Sequence, residues 1–259
     1  MPSRTKDRVV LITGANEGIG YQMLTTLVED GYRCAGVDVH GENLEPRQRA
    51  DPDRVRYDEC DVTDSDSVRD AVSGVIDAWD RIDILVNNAA IANFGPFTEL
   101  PIEETRREFE VNYFGCRRTI RAVLPHMRSR GSGIIHNVSS GVALGGHPGL
   151  TGYASTKGAI EAFTRSLRQE LRDENVVCTL MHPPMTDTGM TTDLDWPDSM
   201  LADGADVGRK LAAQIESTDP VIYTDWQTRI GLALIRRFPF LWQQATDRFV
   251  DIDAHPTVE

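Results

Sequence analysis

Residues 8–20, RVVLITGANEGIG, run a short unbroken apolar segment into three glycines and then into helical spacing. The segment RVVLITG (8–14) reads as a buried strand, and IGYQMLTTLVEDG (19–31) as a helix stopped at Gly31. The same alternation continues down the chain. Strands are expected at 32–39, 54–62, 81–90, 131–140, 176–183 and 220–225. Helices are expected from Thr63 or Asp64 onward (buried face Val68, Val72, Val75, Ile76, Trp79), over 102–127 as one long element, and over 153–174. Strands that are apolar throughout, alternating with helices, predict an α/β fold: a doubly wound, Rossmann-type parallel sheet of about seven strands with helices on both faces. A length of 259 residues suits this as a single domain. In such sheets ligands sit beyond the carboxyl ends of the strands, where the strand order reverses.

Charge and composition narrow the function. A net charge of −13 argues against nucleic acid, which calls for a basic surface. No run reaches the roughly 18 apolar residues of a membrane span, and MPSRTKDR, leading straight into VVLIT, leaves no room for a signal segment. Cys34, Cys60, Cys116 and Cys178 form no CxxC pair, and the six histidines show no metal-binding spacing, so no metal is expected. The cysteines read as small core residues in a reducing, cytoplasmic compartment. The 40 acids (25 Asp, 15 Glu) stand against 24 Arg and only 3 Lys, a balance that suits a high-salt source.

The turn TGANEGIG (13–20) carries the first functional reading. Gly14, Gly18 and Gly20 let the backbone turn tightly, approach a pyrophosphate and pack the helix on the sheet, with the free N–H groups of the helix start facing the phosphates. Asp38 ends the second strand, 18 residues past Gly20, where a carboxylate accepts hydrogen bonds from both hydroxyls of an adenosine ribose. It would repel a 2′-phosphate, and Val39 offers no cation, so NAD is expected in preference to NADP. Glu17 adds negative charge to the turn; it reads equally as a solvated acid at a helix start. Asp61-Val62 closes the third strand, where it brackets an adenine or, as plausibly, opens the next helix. Asn87-Asn88-Ala89-Ala90 ends the fourth strand with small residues that let a ribose lie close.

In TGYASTKGAIEAF (151–163), Tyr153 and Lys157 lie one helical turn apart and share a face. A free phenol, of pKa about 10, is a poor base at neutral pH. An ammonium about 4 Å away contributes roughly 4 kcal/mol at an effective dielectric near 20, or about three pKa units. On that argument Lys157 is expected to bring Tyr153 toward working pH, where acid–base catalysis is most efficient.

TGxxxGxG at 13–20, Asp38, Asp61-Val62, NNAA at 87–90, Asn112, Ser139-Ser140, Tyr153-x-x-x-Lys157 and HPPMTDT at 182–188 together resemble the short-chain dehydrogenase/reductase family, over residues 8 to about 225. Two positions depart from its pattern: Ala90 and Pro184 stand where glycine is usual. The resemblance implies a catalytic tetrad of Asn112, Ser140, Tyr153 and Lys157, with Ser140 on the substrate oxygen and Asn112 holding a water that relays protons to Lys157. It implies a cofactor site of Gly14, Asn16, Glu17, Gly18, Ile19, Gly20, Asp38, Asp61, Val62, Asn88, Ala89, Tyr153, Lys157, Pro183, Thr186 and Thr188. Ile91, Phe94, Val142, Ala143, Leu144, His147, Met185 and Met190 are the candidate substrate walls, mostly apolar, and residues 188–210 a lid.

The reaction this implies is NAD-dependent hydride transfer between the nicotinamide and a secondary alcohol or ketone. The alternatives are a reductase of 3-oxoacyl thioesters and a catalytically silent NAD(P)-binding sensor. The family also suggests a homodimer or homotetramer. The apolar tail 225–250, with Ile230, Leu234, Ile235, Phe238, Leu241, Trp242, Ala245 and Phe249 as one helical stripe and Pro239 as a break, is expected to pack on its own domain or a sister subunit. Peripheral contact with a membrane is the less favoured reading.

Overall fold

The computed structural model describes residues 7–191 and 201–249. The chain alternates as expected: β1 (Val9–Thr13), α1 (Gly18–Glu29), β2 (Arg33–Asp38), α2 (Leu44–Ala50), β3 (Val55–Glu59), α3 (Ser65–Trp79) and β4 (Ile84–Asn87). Then come α4 (Ile102–Glu108), a π-helical stretch Phe109–Gly115, α5 (Cys116–Arg130), β5 (Gly133–Val138), α6 (Val142–Gly145), α7 (Thr151–Glu170) and β6 (Val176–His182). The single long helix expected over 102–127 is thus three segments, with Asn112 inside the π-helical one. The last described elements are β7 (Thr186–Asp187), β8 (Ala202–Asp203), α8 (Gly204–Ala212), β9 (Val221–Tyr223), α9 (Trp226–Arg237) and α10 (Pro239–Phe249).

Seven strands form one wholly parallel sheet in the order β3-β2-β1-β4-β5-β6-β9. The order reverses at β1, which lies between β2 and β4 and so opens a crevice at its carboxyl end. The period-2 alternation of a strand buried on both faces is visible in β1. Val10 and Ile12 join a core with Met23, Leu24 and Leu27 of α1 and Val207 and Leu211 of α8. Val9 and Leu11 join a second core with Val68, Val72 and Val75 of α3 and Ile120, Val123 and Met127 of α5. All four cysteines are buried free thiols.

Two expectations change. The stretch 188–210 is not one lid: residues 192–200 lie outside the described residues, and the remainder runs into α8. There Val207 and Leu211 are core residues, and Gly208 packs directly on Gln22 of α1. Proline does break the tail, but as the first residue of α10, where its missing N–H costs no helical hydrogen bond. The eight tail residues do not form one stripe: Ile235 and Trp242 face inward, whereas Ile230, Leu234 and Phe238 are exposed. The side chains of Leu241, Ala245 and Phe249 lie outside the description.

Candidate active site

A cleft of about 1140 Å³ runs over the carboxyl ends of β1, β2, β4, β5 and β6. At one end is the glycine turn. Gly14 (φ +64°) and Gly18 (φ +54°) occupy the left-handed region. A Cβ at Gly14 would sit 2.7 Å from Ala89 Cα, and one at Gly20 would collide with the Gly14 carbonyl oxygen. Asn88 holds the turn by donating from Nδ2 to the carbonyl oxygens of Gly14 (2.8 Å) and Thr13 (3.1 Å), while Thr13 Oγ1 accepts from the N–H groups of Asn88 and Ala89. No side chain caps the first turn of α1, so its N–H groups remain available to an anion. Across the gap, Thr188 is the first atom group a Cβ at Gly18 would meet, at 3.6 Å. A turn with no room for side chains, beside an uncapped helix start, fits a pyrophosphate.

Of the residues expected on the cofactor side, Gly14, Glu17, Gly18, Ile19, Asp38, Asp61 and Val62 line the cleft, as do Asn88, Ala89, Pro183, Thr186 and Thr188. Asp38 ends β2 with Oδ2 accepting from the Asn16 N–H (2.9 Å) and Oδ1 from the His40 N–H (3.2 Å). Each oxygen keeps a lone pair for a further donor. Asp61 lines the cleft, and its Oδ1 accepts from the Thr63 N–H at 2.8 Å; the helix itself is capped by Asp64, whose side chain accepts from the Asp66 N–H. Asn16 does not reach the cleft. Its side chain accepts from the Asn43 N–H and donates to Glu42, tying the glycine turn to the loop before α2. Gly20 is likewise a packing position, not a lining one.

At the other end stand Ser140, Tyr153 and Lys157. Residues Tyr153 and Lys157 project from one face of α7, as their spacing requires, and Ser140 follows β5 directly. Ser140 and Tyr153 line the cleft together, and the Ser140 hydroxyl is near enough to lower the phenol's pKa. Ser139 turns the other way, donating to Glu161 at 3.3 Å, so only the second serine of the pair meets the phenol. Lys157 Nζ lies 5.4 Å from the centre of the Tyr153 ring and donates to the Val138 carbonyl oxygen at 3.0 Å.

The expected electrostatics do not hold in the chain by itself. Burial pushes the Tyr153 phenol up to about 12, the nearby Glu108 carboxylate adds to the rise, and the Ser140 hydroxyl only partly opposes it. Burial also pulls Lys157 down to about 8. Desolvation disfavours both charged forms, the phenolate and the ammonium, and dominates each shift.

Asn112 stands behind the wall of the cleft. Its Oδ1 accepts from the Ile91 N–H (2.8 Å), and Nδ2 donates to the Ile91 carbonyl (2.9 Å) and Thr156 Oγ1 (3.0 Å). With both amide hydrogens used, it pins the chain after β4 to α7 and does not touch Lys157. The substrate end is lined by Ile91, Val142, Met185 and Met190. Phe94 and His147 pack on each other, ring centres 6.3 Å apart, outside the lining; His147 is buried and donates from Nδ1 to the Pro148 carbonyl oxygen at 2.6 Å. Ala143 and Leu144, on α6, also stay out of the lining. Sequence reading missed Leu150, which lines the cleft, and Thr228, Gly231, Leu232, Ile235 and Trp242, which the tail contributes to its roof. Trp242 donates from Nε1 to the Gly146 carbonyl at 2.7 Å, and Gly141 and Gly145 let Leu232 and Trp242 close in. Glycines at 141 and 145 were the available signal. Among the described residues there is no cluster of three His, Cys, Asp or Glu side chains able to hold a metal ion.

The family model for short chain dehydrogenases matches residues 8–198. A 2-(R)-hydroxypropyl-CoM dehydrogenase from Xanthobacter autotrophicus is 34% identical over 199 residues, covering 74% of this chain and 80% of that protein. A cyclopentanol dehydrogenase from a Comamonas species is 34% identical over 203 residues, covering 77% and 81%. Among solved structures, the 3-ketoacyl-(acyl-carrier-protein) reductase from Brucella melitensis complexed with NADH superposes with a TM-score of 0.77 at 26% identity, covering 83% of this chain and 96% of that one.

Proposed function

The chain belongs to the short-chain dehydrogenase/reductase family, and from that premise we propose that it is an NAD-dependent oxidoreductase interconverting a secondary alcohol and its ketone, with Tyr153 as the acid–base residue. The observation that carries this reading is that Ser140, Tyr153 and Lys157 line one cleft with Asp38, with Lys157 Nζ 5.4 Å from the Tyr153 ring centre.

A nicotinamide dinucleotide bound there supplies or accepts the hydride. Ser140 and Tyr153 both line the cleft, so a carbonyl oxygen seated between them would accept a hydrogen bond from each hydroxyl. As the carbon is reduced, that oxygen takes the phenolic proton; in oxidation, the proton returns to Tyr153. A phenol held at about 12 stays protonated before the substrate arrives, which suits a donor. The Lys157 ammonium, 5.4 Å from the ring centre, favours the phenolate left behind. Asn112 positions this pair by fastening Ile91 to α7.

Asp38 supports NAD over NADP, since its carboxylate meets ribose hydroxyls favourably and a 2′-phosphate unfavourably, with only Val39 and His40 following it. The apolar roof supports a substrate with hydrophobic bulk. Titration with NADH and NADPH, then turnover measured over alcohols, ketones and 3-oxoacyl thioesters, tests the reading. Tighter NADPH binding, or turnover confined to thioesters, overturns it; nucleotide binding with no turnover on any of them leaves the silent sensor.

A further inference from the structure

Only one side of the C-terminal helices is used by the cleft. On α9, Gly231, Leu232 and Ile235 face inward, and among the described residues the opposite side stays exposed. That side carries Trp226 (67% exposed), Ile230 (49%), Leu234 (49%) and Phe238 (37%), and Phe240 of α10 (53%) continues it. The first four recur every fourth residue, so they run as a single ridge along the outside of α9. Arg229, Arg236 and Arg237 are exposed beside the ridge, with the Arg237 guanidinium 5.2 Å from the Phe238 ring centre. In a chain of net charge −13, residues 226–249 hold four arginines, no lysine and a single acid, Asp247.

We propose that this outer face docks on an anionic lipid surface, as a helix lying in the plane of the interface. Two properties select that occupant. A contiguous ridge of large apolar side chains marks an interaction site, and its positive rim, in an otherwise acidic molecule, calls for negative charge opposite. A second copy meeting the same face by two-fold symmetry would bring arginine against arginine. A bilayer with anionic headgroups satisfies both halves at once: Ile230, Leu234 and Phe238 enter the acyl boundary, Trp226 sits at headgroup level, and the arginines reach back to the phosphates. The acidic remainder is repelled by the same surface, so docking occurs in one orientation, with the roof of the cleft toward the lipid. Among the described residues no helix is long and apolar enough to cross a membrane, so contact is peripheral.

The full chain is sedimented with vesicles of phosphatidylcholine alone and with vesicles containing phosphatidylglycerol, at about 0.1 M and 1 M salt. It is expected to pellet with the anionic vesicles at low salt, to be released as salt screens the arginines, and to stay in the supernatant with phosphatidylcholine. R229E/R236E/R237E should weaken partition on the order of 100-fold. I230D/L234D, altered at solvent-facing positions, should abolish it while leaving nucleotide binding unchanged, which reports an intact fold. The Trp226 emission should shift to the blue on binding, and the shift should vanish in Trp226→Phe. No partition into anionic vesicles overturns the proposal. If I230D/L234D instead splits an oligomer in lipid-free solution, the ridge is an interface between copies and the proposal also fails.

Discussion

Lys157 Nζ donates to the carbonyl oxygen of Val138 at 3.0 Å, which fastens the middle of α7 to the carboxyl end of β5 and fixes where Tyr153, one turn earlier, can stand. Ser140 follows Val138 by two residues, so a single strand end positions both the amine and the hydroxyl that meets the phenol. Tyr153→Phe keeps the ring and its packing and removes only the proton. Turnover should fall by a factor on the order of 10² or more, with nucleotide affinity unchanged. Ser140→Ala should cost about 10- to 100-fold, the worth of one hydrogen bond to an oxygen that gains charge. Steady-state rates and fluorescence titration check both, and near-normal turnover of either variant contradicts the assigned role.

The depressed Lys157 gives the reaction a pH dependence of defined sign. Below about pH 8 the amine is charged and can favour a phenolate; above it the charge is lost. kcat/KM for the dinucleotide, which reports the free enzyme, should be level at neutral pH and decline above about 8 in carbonyl reduction. Lys157→Arg keeps a cation to much higher pH, so whatever rate survives should lose that decline. A profile of unchanged shape in the arginine variant would count against Lys157 as the titrating group.

Asp38→Ala should weaken NADH by roughly 10- to 100-fold, the loss of one or two charge-assisted hydrogen bonds, and should improve NADPH by removing a like charge. Adding Glu17→Arg at the exposed edge of the turn should move the preference further toward NADPH. Equal dissociation constants for both nucleotides before and after the exchange would remove Asp38 from the ribose site.

His136 of β5 is fully buried, with Nδ1 2.6 Å from Thr179 Oγ1 and Nε2 2.8 Å from the Ile215 carbonyl oxygen. A neutral ring that donates from Nε2 and accepts at Nδ1 satisfies both partners. Burial holds its pKa down to about 4, against an ordinary 6.5. The unfolded chain therefore binds the extra proton between those values and the folded one does not. Stability is complete above about pH 6.5 and declines as pH falls toward 4, by about 3 kcal/mol for this group. His136→Gln should start less stable yet show a shallower decline in its urea midpoint between pH 6.5 and 4; equal slopes would exclude the histidine as the source.

The glycine turn, the strand sequence and the Ser140–Tyr153–Lys157 grouping were legible because each depends on local spacing: period 2 in strands, a four-residue step on α7, glycine where the chain cannot carry a side chain. What was not legible depends on surroundings. The direction of the Tyr153 shift turns on how much water reaches two side chains, and Glu108, from another helix, contributes to it. Asn112 finds its partners in the backbone of Ile91, 21 residues away. Asn16 sits amid cofactor-side residues in sequence but turns toward Asn43. The lid read over 188–210 includes ADGADVGRK, although Val207 within it is a core residue of α8. α9 is apolar on two sides, so its pattern alone could not say which side met the cleft.

The placement of β1 in the middle of the sheet also governs how the molecule is assembled. Its partner on one side, β4, lies more than 70 residues further along the chain, with Val10 paired to Ile84 and Leu11 to Leu85. Helices form from nearby neighbours within microseconds, whereas such distant pairings wait on a slow search. The crevice at the reversal point is therefore expected to form after the helices. After dilution from denaturant, the far-ultraviolet helical signal should return ahead of the capacity to quench or enhance dinucleotide fluorescence; a nucleotide can then hold the finished fold together but has nothing to grip while it is being made.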